Sequence, residues 1–175
     1  MATYFNKITA EQAALIAESP LFFVASGADD YSCGPNGEGP INLSPKSGSP
    51  LHVINENVVA YLDYVGSGNE TARHAGTGGP ATFMVCSFSE QNAAIVKLYG
   101  HAKIFALEDY EYSARLLELT ASELALPERQ IVELEVVSTI TSCGYGVPIM
   151  SFVSDRTTQD RGRDFKQGKS ASSVR

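Results

Sequence analysis

Short apolar runs of strand character, joined mostly by turns rather than by helices, dominate this chain and limit what it can fold into. They fall at residues 21–26, 41–43, 51–54, 58–63, 81–88, 94–106 and 131–140. Asn55-Glu56-Asn57 is of hairpin-turn composition between the third and fourth. A parallel sheet needs a crossover, usually a helix, between successive strands, and that alternation is missing. Six or seven strands with two or three helices at the edges predict a mainly β architecture: a small antiparallel β-barrel with peripheral helices.

The helices have their own signals. Thr9-Ala10-Glu11-Gln12 reads as a capping box opening a helix through Glu18, with Ala13, Leu15, Ile16 and Ala17 available to pack. Pro20 ends it. A second short helix is expected over 70–75. A third is expected over 109–123, with Tyr112, Leu116, Leu119 and Ala121 on one face. Residues 27–39 form a glycine-rich loop, and Gly100 interrupts its strand as at a bulge or a close backbone approach. In 131–140, Val132, Leu134, Val136 and Ser138 alternate with Glu133, Glu135 and Val137. Residues 141–152, with Gly144, Gly146 and Pro148, read as loop, where Tyr145 offers a ring for stacking or a packed turn.

A chain of 175 residues with 43% apolar content is expected to form one domain, residues 1–155, followed by a basic tail, residues 156–175. The tail has six Lys or Arg against two Asp, which gives it +4. A total of −7 therefore leaves −11 on the body. That acidity argues against nucleic-acid and anionic-membrane partners. Cys33, Cys86 and Cys143 are odd in number and widely spaced, a poor disulfide framework and a poor zinc site. With no leader-like apolar stretch, they point to the cytoplasm. Cys86 sits in an apolar run and is expected to be buried.

Chemistry concentrates in two polar clusters, each after an apolar run. Asn42-Leu43-Ser44-Pro45-Lys46 supplies a lysine. Tyr61-Leu62-Asp63 leads into Gly66-Ser67-Gly68-Asn69-Glu70-Thr71. Lys46 suits a phosphate as a point charge, with Ser44, Ser67 and Thr71 as hydroxyl donors and the amides of 68–70 as main-chain donors. Glu70 would then have to point away, since a carboxylate repels a phosphate. A capped helix, with Ser67 or Asn69 as its N-cap, and a solvated lysine account equally for the same residues. The run is neither a G-x-G-x-x-G fingerprint nor a P-loop. No Gly-x-Ser-x-Gly elbow supports a hydrolase, and His52, His74 and His101 lack metal-ligand spacing.

The order of these motifs, continued by Phe83-Met84-Val85-Cys86-Ser87-Phe88, Leu98-Tyr99-Gly100-His101-Ala102 and Ser142-Cys143-Gly144-Tyr145-Gly146-Val147-Pro148, resembles the pyridoxamine 5′-phosphate oxidase-like family. The likeness covers roughly residues 21–148. It implies a six-stranded Greek-key split barrel that forms a homodimer, with FMN in a cleft between subunits. The cofactor-binding positions it implies are Asn42, Leu43, Ser44, Lys46, Tyr61, Leu62, Asp63, Ser67, Gly68, Asn69 and Thr71. The turn that in the true oxidase reads Ser-Arg-Lys is here Ser67-Gly68-Asn69, so Lys46 and main-chain amides, with Arg73, would balance the phosphate charge. The chain has no tryptophan and no Arg-x-His at its end, the features that hold vitamin B6 phosphates in the true oxidase. The implied function is an FMN-dependent oxidoreductase acting on an unidentified small molecule. A non-catalytic dimer holding flavin, deazaflavin or haem is the alternative.

Overall fold

The computed structural model of the chain describes residues 2–30, 40–66, 68–118 and 126–155. The expected tail, residues 156–175, lies outside them, as do Cys33 and most of the 27–39 loop.

Among the described residues eight strands build one antiparallel sheet: β1 (Thr3–Phe5), β2 (Phe22–Gly27), β3 (Ile41–Lys46), β4 (His52–Asn55), β5 (Val58–Tyr64), β6 (Pro80–Cys86), β7 (Ala94–Phe105) and β8 (Glu128–Cys143). Their order is β3-β2-β6-β7-β8-β5-β4, with β1 added on β8. The sheet is barrel-like without closing, and mainly β with peripheral helices, as expected. It has two strands more than the six of the resemblance. β1, three residues before the first helix, is too short to carry a periodic signal.

β8 is the spine. It pairs with β7 over most of its length, with β5 along its first half and with β1 near its end. It runs to Cys143, so Thr141, Ser142 and Cys143 are strand and not loop. Their backbones pair with Val96, Ile95 and Ala94, and composition gives way to that pairing. At the Tyr99/Gly100 register shift Val137 is left without an opposite residue. The alternation of Val132, Leu134 and Val136 therefore breaks there, and Thr139 takes the buried place expected of Ser138. A Cβ at Gly100 would collide with the Glu135 carbonyl oxygen, which is the close approach its position suggested.

Helix α1 (Ala10–Glu18) opens with the capping box: Gln12 N donates to Thr9 Oγ1 (3.3 Å) and Thr9 N to Gln12 Oε1 (3.1 Å). Ile16 enters the main core, where Phe22, Tyr61 and Phe83 meet edge-on or tilted at centroid distances of 5.1–6.5 Å. Ala60, Leu62 and Ile131 pack in a second cluster with Tyr110 and Leu116. β5 is thus buried on both faces, which is why it reads as an unbroken apolar run.

Helix α2 spans Glu70–Gly76. The expected third helix starts later than its pattern, with a 3-10 turn at Leu107–Asp109 before α3 at Ser113–Glu118. Leu116 is buried and Tyr112 is exposed; Leu119 and Ala121 lie outside the described residues. Cys86 is buried, whereas Tyr145 stands out from the surface unpacked.

Candidate functional site

β3 alternates along its length. Ile41, Leu43 and Pro45 face out, while Asn42, Ser44 and Lys46 turn inward. Opposite them β5 presents Tyr61 and Asp63, and the turn into α2 brings Gly68, Asn69 and Thr71. Together with Arg129 of β8 these residues line a cleft of about 320 Å³. Segments far apart in the chain meet here because the sheet curls β3 over the end of β5.

Asp63 organises the cleft. Its Oδ1 accepts from Lys46 Nζ (2.7 Å), and its Oδ2 accepts from Arg129 Nε (3.1 Å) and Nη2 (2.6 Å) and from Gln130 Nε2 (3.0 Å). Burial pushes the carboxyl pKa up, but Lys46 and Arg129 outweigh it and hold the group below its ordinary value. Two cations on one carboxylate give this cluster of three side chains one net positive charge. Asn42 Nδ2 reaches Ser44 Oγ (3.2 Å) and Thr71 Oγ1 (3.4 Å), tying β3 to α2.

The Asn69 side chain does not cap α2. Its Oδ1 accepts from Gln130 Nε2 (2.8 Å), which links the turn to β8. The Tyr61 hydroxyl is buried and finds no hydrogen-bond partner among the described residues, while Lys46 Nζ stands 5.5 Å from the centre of its ring. Burial first, and Asp63 second, push its phenol pKa well up, with Arg129 opposing. A neutral phenol remains, able to donate or to accept.

Two of the expected positions face elsewhere. Leu43 is 67% exposed on the outer side of β3, since a strand turns alternate residues to opposite faces. Leu62 packs in the second cluster and borders an adjoining cavity of about 420 Å³ with Ser49, Val65 and Leu126. Ser67 lies outside the described residues. Glu70 does not point away. Its side chain is 13% exposed, it lines the cleft, and its carboxylate meets Arg73 at 3.3 Å. Arg73 thereby engages Glu70 and is not part of the cleft wall.

Arg129 and Gln130 were not legible in the sequence. They sit 66 and 67 residues beyond Asp63, at a strand start that reads only as charged and polar. None of the three histidines lines the cleft. His74 is wholly buried with Nδ1 2.9 Å from Ser26 Oγ, and burial with nearby Arg115 holds the His52 pKa down. Among the described residues no group of His, Cys, Asp and Glu could hold a metal ion, and no helix is long and apolar enough to cross a membrane.

No family model matches the chain. The pyridoxamine 5′-phosphate oxidase family protein ustO of Aspergillus flavus is 32% identical over 143 residues, which are 81% of this chain and 54% of that protein. The chain thus spans about half the length of that relative. Among solved structures, HupZ of Group A Streptococcus has a TM-score of 0.54 at 17% identity, covering 74% of this chain and 89% of its own. An FMN-binding protein of Syntrophomonas wolfei has a TM-score of 0.51 at 15% identity, covering 81% and 85%. At such identities these two speak to the fold alone.

Proposed function

From the premise that the chain belongs to the pyridoxamine 5′-phosphate oxidase-like family of split barrels, we propose that it is a flavoprotein taking FMN in the cleft between β3 and β5. The observation that carries this is the Lys46–Asp63–Arg129 cluster, which sets two cations on one carboxylate in a cleft lined with hydroxyl and amide donors. That donor set fits a phosphate monoester: two cations for charge, and Asn42, Ser44 and Thr71 for neutral hydrogen bonds. Arg129 takes the part for which the turn, with Gly68 and Asn69, has no side-chain cation. Leu43 and Leu62, whose side chains face away, would contribute through their main chains.

A buried hydroxyl without a partner is costly, on the order of 1–3 kcal/mol. A polar oxygen or nitrogen of the ligand would satisfy that of Tyr61. Asp63 is a positioning residue in this reading, because it holds both cations at the cleft. Bound FMN would supply hydride or electron transfer to a small organic substrate, and the protein supplies position, charge and exclusion of water. Among the described residues no histidine lines the cleft, which favours flavin over haem there.

The reading includes a homodimer, supported by the exposed apolar residues Ile41 and Leu43 beside the cleft and Ile149, Met150 and Phe152 beyond β8. It includes a cytoplasmic location, supported by the free thiols of Cys86 and Cys143.

Titration of the purified protein with FMN and riboflavin, followed by flavin absorbance, tests the core of this. FMN is expected to bind at least about tenfold more tightly than riboflavin, the difference being the phosphate contacts. Equal affinity removes the phosphate assignment, and no binding of either removes the flavin. Bound FMN that no reductant reduces would reduce the protein to a carrier. Sedimentation tests the dimer.

A further inference from the structure

Among the described residues, Glu70 is the one acidic side chain besides Asp63 in the wall of the cleft. Asp63 is neutralised twice over, by Lys46 and by Arg129. Glu70 is not. It has one ion pair, with Arg73 at 3.3 Å; the Arg73 side chain is 41% exposed, while that of Glu70 is 13% exposed and turned in. The carboxylate lies directly over Gly68, with Oε2 2.6 Å from the point where a Cβ of residue 68 would stand. Glycine at 68 is what leaves room for it. A glutamate in the first turn of a short surface helix has no need to fold inward, because it could extend into water at little cost.

We propose that Glu70 is a specificity-determining residue: its carboxylate holds down the cleft's affinity for anions, so that ligands are ranked by the charge they bring as well as by shape. A phosphate entering beside Lys46 and Arg129 meets a fixed like charge in a partly desolvated space, where such repulsion is weakly screened. A phosphate-bearing ligand binds more loosely than its contacts alone allow, and an uncharged analogue of the same shape is unaffected. The inference rests on the cleft being an anion site, as proposed above, and does not depend on the ligand being a flavin.

The test uses the full chain and inorganic phosphate as the probe. Melting temperature is followed against phosphate at constant ionic strength for the wild type, Glu70→Gln and Glu70→Ala, with FMN and riboflavin titrated in parallel. Both variants are expected to reach half-maximal stabilisation at about five- to tenfold lower phosphate than the wild type, from removal of one like charge. FMN affinity is expected to shift by a similar factor, and riboflavin by less than about twofold. Equal phosphate midpoints in the three proteins overturn the inference and leave the anion site standing. If phosphate stabilises none of them, the anion site falls and the inference with it. If phosphate midpoints shift as expected while FMN binds nowhere, the inference stands and the flavin reading falls. Two variants of different size guard against one that does not fold, which its ligand-free melting would reveal.

Discussion

Replacing Asp63 with asparagine takes one negative charge from between two cations and leaves the shape almost unchanged. The native carboxylate accepts hydrogen bonds from Lys46, Arg129 and Gln130 at 2.6–3.1 Å and is itself buried. An asparagine keeps one oxygen, so it can serve Lys46 or Arg129 but presents N–H to the other. Removing one partner from a buried ion pair costs about 3–5 kcal/mol. Here the Lys46 and Arg129 side chains retain 27% and 20% exposure and can partly rehydrate. The expected loss is therefore smaller, about 2–3 kcal/mol after that screening.

For a domain of this size that corresponds to a fall in Tm of about 4–12 °C, read by thermal or urea unfolding of the ligand-free protein. The pH dependence has a definite sign. The folded carboxyl titrates below its ordinary value of 3.8, so its contribution is fully present above that pH and is lost as pH falls through the lower folded value. The gap between wild type and variant should be constant near neutrality and close in the acid range. A loss under about 1 kcal/mol would mark the cluster as a solvated surface group. A gap that persists unchanged far below pH 3.8 would refute the charge argument altogether.

Lys46→Met and Arg129→Met should each weaken FMN about tenfold while leaving riboflavin within about twofold, measured by absorbance titration. Tyr61→Phe removes a buried hydroxyl that has no partner among the described residues, so the ligand-free protein should be unchanged or stabilised by about 1 kcal/mol in urea unfolding, with FMN affinity lowered. Gly100→Ala places a methyl on the Glu135 carbonyl; a loss of about 3 kcal/mol or failure to fold is expected, and a native-like Tm would contradict the bulge packing. Thr9→Ala breaks the capping box and should cost about 1 kcal/mol in the same assay.

The sequence by itself determined the strand-rich, hairpin-connected character, the capped first helix, the close backbone approach at Gly100 and the two polar clusters. Each of these is a local property, set by side-chain period, by turn chemistry or by the lack of a Cβ, and neighbours in the chain suffice to read it. The inward and outward faces of β3 were also implicit in its alternation, although whether Leu43 or Ser44 faced the cleft depended on which side the sheet curls toward. Tertiary structure alone decided the rest. Arg129 and Gln130 reach Asp63 together because the β5–β8 pairing shifts register between Asp63 and Tyr64, which leaves Arg129 without an opposite residue beside the Asp63–Gln130 pair. The inward fold of Glu70 and the solitary hydroxyl of Tyr61 likewise depend on which surfaces the curled sheet brings together. Charge balance in the cleft is a sum over segments more than sixty residues apart, and the physics of a long-range sum is not written in any one of them.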